Sequence, residues 1–347
     1  MTLEIVRSKI VRFSIYILLL TILIFISLLI SISIGSSGVN FRDIMNLLIS
    51  RSSDENRILS SILDLRLVRS LTALLVGASL ALSGLLIQAV SRNPLADPYI
   101  FGLSTSSLSF LALGLIIALQ LDSGLAYNKY YMISIAFLGA FSGYIMTLIL
   151  SRFAGGGALS MVLAGVAVSS FFASLSSILL YILQSMTRSP FIYLLTGFFE
   201  AVSWRDVGYL AYSLAICFIA SMILFKHLNA YLYGDEYSMS VGFNPSTTRV
   251  VASLVAALAT ATTIAIVGVI GFIGIASPHI ARALVGSDHK YTIVISILVG
   301  GLLVLLADIL SRVIGVVLMI GSIPTGFITA LIGSPFLAYI VIRRMRS

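Results

Sequence analysis

Gly234-Asp-Glu-Tyr-Ser-Met-Ser-Val-Gly-Phe-Asn-Pro245 is a polar island between two long apolar runs. Its punctuation predicts a short helix set between two turns. Asp235 and Glu236 place negative charge where a helix start favours it. Gly242 can take the left-handed conformation that ends a helix. Asn244 can then cap the next helix, with Pro245 at its first position, where a missing N–H costs nothing. A chain that merely turns round between two apolar runs needs fewer residues than this. Two readings stand: an ordinary capped loop, or a small rigid element on which an external machine pushes against a membrane pore.

The flanking residues decide the class. Of 347 residues, 59% are hydrophobic and 10% charged, with a mean hydropathy of +1.11; a soluble domain carries roughly 25% charged residues. The expected fold is all-α and integral to the membrane, one transmembrane domain over residues 1–347. Cys217 is the single cysteine, so no disulfide can form within the chain. His227, His279 and His289 lie far apart with no ligand pair at helical spacing, so no metal site is expected. The dipeptide Gly-Lys does not occur, which excludes a phosphate loop and leaves no ATP site or other cofactor expected on this chain.

Apolar runs and their breaks predict ten spans, at 11–34, 66–90, 102–120, 131–151, 160–184, 205–225, 246–265, 266–284, 291–312 and 323–342. The first is longer than a signal-peptide core and no Ala-x-Ala comes after it, so it is expected to remain as a span. Residues 35–65 read as a polar loop with a short helix around Phe41–Ser50. In the second span, Gly77, Ala81 and Gly84 form a face of small residues that lets helix backbones approach closely. Ser189–Trp204 reads as a short interfacial helix. The eighth span is expected to be short and broken by Gly271, Gly274 and Pro278.

With the N-terminus inside and the spans alternating, the inner segments hold 12 bases and 5 acids, net +7, and the outer segments 9 bases and 8 acids, net +1. That is the positive-inside pattern. It predicts both termini and residues 234–244 in the cytoplasm of a cell-membrane protein, and it accounts for the net charge of +8 without nucleic acid. Ionisable groups within the spans are scarce. Asp308, four residues before Arg312, reads as half of a local helix ion pair rather than a proton relay. An apolar, glycine-rich path without a charged midplane site suits a conduit for a bulky solute, with selection and energy supplied from elsewhere. The competing class is a self-contained secondary transporter or channel, which would need a coupling-ion site.

Several stretches then combine. Arg66-Leu-Val-Arg69, Gly77, Ser83-Gly84 and Gln88 lead into Arg92-Asn-Pro-Leu-Ala-Asp-Pro98 and Phe101-Gly-Leu-Ser104. Later come Gly268-Val-Ile-Gly-Phe-Ile-Gly-Ile275, Pro278-His-Ile-Ala-Arg282, Gly286-Ser-Asp-His289, Ala307-Asp308, Ile323-Pro-Thr-Gly326 and Leu331-Ile-Gly-Ser-Pro-Phe336. From Arg66 to the C-terminus the chain resembles the transmembrane permease subunit of ABC importers for iron chelates, haem and cobalamin. The residues carrying the resemblance most directly are Asn93, Pro94, Gly271, Gly274, Pro278, His279, Arg282, Pro324 and Gly326. His279 itself reads as structural, at a cytoplasmic helix end.

The resemblance implies ten helices per subunit, a homodimer with a second copy around a central path, and two cytoplasmic ATPase subunits that hold ATP and Mg. It implies that Gly234, Asp235, Glu236, Ser240, Gly242 and Asn244 form the loop that docks on the ATPase. It implies a cytoplasmic gate at the turn between the fourth and fifth spans, where Ala158 and Leu159 could meet their symmetry mates. Arg66, Arg69 and Arg312 would face outward, to acidic residues of an extracytoplasmic substrate-binding protein. One departure stands out: relatives often carry Glu just before the Leu-Pro or Ile-Pro of the last motif, where this chain has Ser322. Among siderophore, haem, corrinoid and oxyanion cargo the residues do not choose.

Overall fold

The computed structural model describes residues 2–34, 54–121 and 124–345. The short helix expected around Phe41–Ser50 falls outside these, and the loop expected over 35–65 is corrected at 54–65, which are helical and continue without a break into the second span. The chain forms α1 (Thr2–Ser33), α2 (Asp54–Ser91), α3 (Leu103–Leu121), α4 (Lys129–Phe153), α5 (Ala158–Thr187), α6 (Trp204–Tyr231), the short α7 (Asp235–Ser240), α8 (Pro245–Val267), α9 (Ile273–Val285), α10 (His289–Val317) and α11 (Thr325–Met345). Among the described residues, eight helices are long and apolar enough to cross a membrane, and Ile273–Val285 and Thr325–Ala338 are apolar but shorter.

α2 is the pillar. Its most apolar stretch is 89% buried, against 22% for α1. Helices α6, α8, α9 and α10 pack around it, while α1 lies at the edge on α10 and α2. The small-residue face of α2 explains the close packing. A Cβ added at Gly77 would lie 2.1 Å from the Gly300 carbonyl oxygen, and one at Gly84 would lie 2.1 Å from that of Gly274. Backbone therefore meets backbone at two levels, against α10 and against α9, and any larger side chain would force the helices apart.

The break before α9 differs from the sequence expectation, which starts the eighth span at residue 266 with Gly271, Gly274 and Pro278 as its breaks. Instead α8 runs to Val267, residues 268–272 are non-helical, and α9 is a 13-residue helix containing both Gly274 and Pro278. At about 1.5 Å per residue α9 is roughly 20 Å long, short of a ~30 Å bilayer core. Irregular backbone at such a place must find partners inside the protein. The segment expected as an interfacial helix supplies them. Val269 N–H donates to Leu194 O at 2.8 Å, Phe198 N–H to Val267 O at 2.9 Å and Gly326 N–H to Thr196 O at 2.9 Å. Residues 189–203 consequently hold a single turn of 3₁₀ helix, Ile192–Leu195, and Phe199 is fully buried. Gly268, at φ 82°, sits so close to Leu194 that a Cβ would fall 2.4 Å from its carbonyl oxygen.

Pro278 does not break α9 because its missing donor is replaced. The carbonyl four residues earlier, Gly274 O, accepts from Gln88 Nε2 at 3.0 Å. His279 accordingly lies in mid-helix, not at a helix end.

Candidate functional site

Two clusters of polar side chains stand far apart along α2, one at its C-terminal end and one in its first half. At one end is α7. Gly234 precedes it at φ 118°, and Gly242 comes after it at φ 86°. Gly242 N–H donates to Met239 O at 3.0 Å and Phe243 N–H to Ser238 O at 2.9 Å, the paired bonds of a left-handed helix stop. The Asn244 side chain then accepts from Ser246 N–H at 2.9 Å and Thr247 N–H at 3.2 Å, capping α8 with Pro245 in its first turn. The buried Ser238 faces the bundle, while Glu236, Tyr237, Met239 and Ser240 are exposed. The loop is therefore a stiff element with a mixed apolar and acidic outer face.

Asp235 is used inside the chain. Its carboxylate pairs with Arg92 at the end of α2 and lies 3.4 Å from an Arg249 nitrogen on α8. Between the two arginines lies Tyr231. The Arg92 guanidinium stands 3.9 Å from its ring centre, and Arg249 Nε donates to its hydroxyl at 3.2 Å. Arg92, Tyr231 and Arg249 form a cluster that the sequence did not reveal, because the two arginines were legible as inside charge, and Arg92 also as the head of the 92–98 stretch, with nothing to join them. An arginine directly after a helix and before Asn-Pro is the one signal that could have marked it.

Beyond Arg92 the chain turns on Asn93, whose Oδ1 accepts from Leu95 N–H at 3.0 Å. It then reaches Asp97, which lines a cavity of about 340 Å³ with Thr196, Gly271, Phe272, Gly326 and Phe327. Asp97 lies on the connection between α2 and α3, and burial pushes its carboxyl up to about 6, with the Tyr99 N–H pulling the other way. Pro94 lines a separate cavity with Arg282, whose guanidinium also bonds Gln88. Pro324 lies just before the start of α11. In the α4–α5 turn, Gly155 and Gly156 have φ of 95° and 72° and Leu159 is 72% exposed. Ala158 begins α5, and its side chain falls outside the described residues.

In the first half of α2, Arg66 and Arg69 converge with Arg312 on one cavity of about 310 Å³. They do not project from the surface as expected. Arg66 donates to Ile32 O at 2.8 Å, and Arg312 to Ser31 O at 2.7 Å and Ile34 O at 3.1 Å. The last carbonyls of a helix lack partners and carry its negative dipole end, so two guanidiniums settle on the end of α1. Asp308, fully buried, is the hub. It takes two bonds from Arg69, at 2.9 and 2.8 Å, pairs with Arg312 at 3.0 Å and accepts from Thr325 at 3.3 Å. The local Asp308–Arg312 pair is thus present, within a larger network. Where Ser322 replaces the anticipated acid, its hydroxyl bonds Glu200, which stands 3.7 Å from Arg69. Glu200 brings a carboxylate to this place from another part of the chain, which no local pattern could announce.

Among the described residues no group of three His, Cys, Asp or Glu side chains could hold a metal ion. The signature of the FecCD transport family matches residues 22–343. The Fe(3+)-citrate import system permease of Bacillus subtilis is 32% identical over 330 residues, covering 95% of this chain and 94% of that protein. A probable heme-iron transport system permease of Staphylococcus aureus is 34% identical over 330 residues, 95% of this chain and 96% of that protein. A solved inward-facing structure, described as a metal-chelate type ABC transporter, matches with a TM-score of 0.73 at 28% identity, over 95% of this chain and 99% of that one.

Proposed function

Because the chain belongs to the FecCD transport family, whose members are membrane transport subunits and not ATPases, we propose that it is the permease of an ATP-driven importer for a bulky metal chelate. The relatives are named for ferric citrate and heme-iron, and the proposed cargo is an iron chelate, haem or, as a further member of the same bulky class, a corrinoid. Two copies form the path. Two ATPase subunits, holding ATP and Mg, engage the α7 end in the cytoplasm, where both termini also lie. An extracytoplasmic binding protein delivers cargo at the Arg66–Arg69–Arg312 end.

The observation that carries this reading is α7 itself. A six-residue helix set between Gly234 and the left-handed stop at Gly242, with Asn244 capping the next helix and Glu236, Tyr237 and Met239 exposed, is a docking element more rigid than a connector requires. The competing secondary transporter lacks support from Asp308, since two arginines already neutralise that buried acid.

The test is reconstitution. The purified chain alone hydrolyses no ATP. In liposomes with its ATPase and binding protein, it accumulates ferric citrate or haem only when ATP is present. Uptake driven by a proton or sodium gradient without the ATPase overturns the proposal.

A further inference from the structure

The end of α2 contains an anomaly. Arg92 N–H donates to Ala89 O and Asn93 N–H to Gln88 O, the two bonds of a left-handed helix stop with Arg92 in the left-handed position at φ 48°. Glycine is the residue for that position, because a Cβ is strained there. The arginine side chain makes three contacts that glycine cannot. It stacks on Tyr231, donates from Nε to Tyr231 O at 2.9 Å, and pairs with Asp235 in the first turn of α7. Strain retained where an unstrained residue would serve points to a role for the side chain.

The contact leads onward along the chain. Five residues after Arg92, Asp97 and Pro98 abut the first turn of α9: a Cβ at Gly274 would lie 2.5 Å from Asp97 Oδ1 and 2.8 Å from Pro98 Cδ. Asp97 also lines the 340 Å³ crevice shared with α11. Arg92 thus joins α7 to a tightly turned segment wedged against α9 and the crevice.

We propose that Arg92 is a positioning residue that transmits displacement of α7 to the 92–98 turn, and through it to the start of α9 and the crevice. This inference rests on the reading of α7 as the ATPase-docking element. Arg249 holds the other carboxylate oxygen of Asp235 from α8, so α7 is anchored to one helix and linked to another. A planar guanidinium suits the link, since it stacks and hydrogen-bonds in fixed directions.

Arg92→Gly separates the two roles of this residue. Glycine fits φ 48° without strain, so the helix stop and the fold remain, and only the side chain is lost. The readout is labelling by fluorescein maleimide of a cysteine placed at Ala330 in the crevice, in the complex with the ATPase, with and without ATP and vanadate. Cys217 is buried and gives little background. With Arg92 present, nucleotide changes the labelling rate. In Arg92→Gly the change shrinks by roughly tenfold, in the range of coupling factors between sites in one protein, while ATP hydrolysis continues. Arg92→Lys, which keeps charge but not the stacking fork, falls between.

Gly242→Val runs in parallel to test α7 itself. If Gly242→Val abolishes the change and Arg92→Gly does not, α7 couples by another route and the proposal fails alone. If neither variant alters the change, the docking reading of α7 fails with it. An Arg92→Gly chain that no longer binds the ATPase also overturns the proposal, because the residue would then serve docking and not transmission. A labelling rate that nucleotide does not change even with Arg92 present overturns it as well.

Discussion

The Gln88–Gly274–Pro278 arrangement sets a measurable energy on α9. Pro278 cannot donate to Gly274 O, and Gln88 Nε2 does so at 3.0 Å. Gln88→Leu removes that bond and the contact of Gln88 with Arg282, at a combined cost of about 2–4 kcal/mol for a neutral and a charge-assisted interaction. The two parts separate in a double-mutant cycle. Pro278→Ala restores a backbone N–H that can reach Gly274 O within the helix, so in that background Gln88→Leu no longer strands a buried carbonyl. The Arg282 contribution is the same in both backgrounds and cancels. Hydrogen bonds within membrane proteins average ~0.6 kcal/mol and reach ~1.7, so the cycle should yield a coupling of about 1 kcal/mol, with Gln88→Leu less harmful beside Ala at 278. The assay is equilibrium unfolding of the four chains in mixed detergent micelles. Strict additivity, within the ~0.3 kcal/mol expected for independent sites, would refute the assignment of Gln88 as the stand-in for the proline's missing donor.

Three further outcomes are expected at the site. Glu236→Lys reverses charge at the first turn of α7, and Gly242→Val places a branched side chain at φ 86°; each should cut ATP-driven uptake at least severalfold while membrane insertion is unchanged, and normal uptake in both would reduce α7 to a connector. Asp97 has a folded value of about 6, above its ordinary 3.8, so the folded state binds the extra proton and stability should decline as pH rises from about 4 through 6. Asp97→Asn should flatten that decline, as read by unfolding midpoints across the window. Arg69→Glu sets a second acid beside the buried Asp308 and should lower the unfolding midpoint sharply, since breaking a buried pair costs about 3–5 kcal/mol; an unchanged midpoint in detergent would refute Asp308 as the hub.

The sequence was most legible where one helix face or one run decided the matter. Apolar length placed the helix interiors, and the 77–81–84 face announced close helix contact, with the partners α9 and α10 supplied by the structure. Capping chemistry placed α7 residue by residue, because Gly242, Asn244 and Pro245 act within two or three residues of themselves, Asn244 through its side chain and the other two through their backbone. What failed to show was the choice of distant partner. Gly268 competes with Gly271, Gly274 and Pro278 as a break, and only the pairing of residues 267–269 with 194–198 decides for Gly268. Arg66 and Arg312 read as outward charges since nothing local says that the end of α1 lies beside them. Asp235 read as a helix-start charge, and its pairing with Arg92, 143 positions away, depends on how α6 returns to the end of α2.

These separate features meet on one helix. α2 carries Arg69 in its first half and Arg92 just past its C-terminal end, roughly 35 Å apart at 1.5 Å per residue. Between them it is packed on all sides, with backbone contact at Gly77 and Gly84 that leaves little room for bending. A helix so confined moves with its neighbours or not at all. Arg69 is tied through Asp308 to α10, and the Asp97–Pro98 turn is wedged against α9, which directly precedes α10 in the chain. A displacement entering at α7 therefore meets a block of α2, α9 and α10 backed onto itself. The non-helical backbone in this block is the 92–98 turn and the 268–272 break, the first held against Gly274 and the second paired with Leu194. A displacement carried by Arg92 would therefore reach the start of α9 through non-helical backbone beside Asp97, where no helix has to bend.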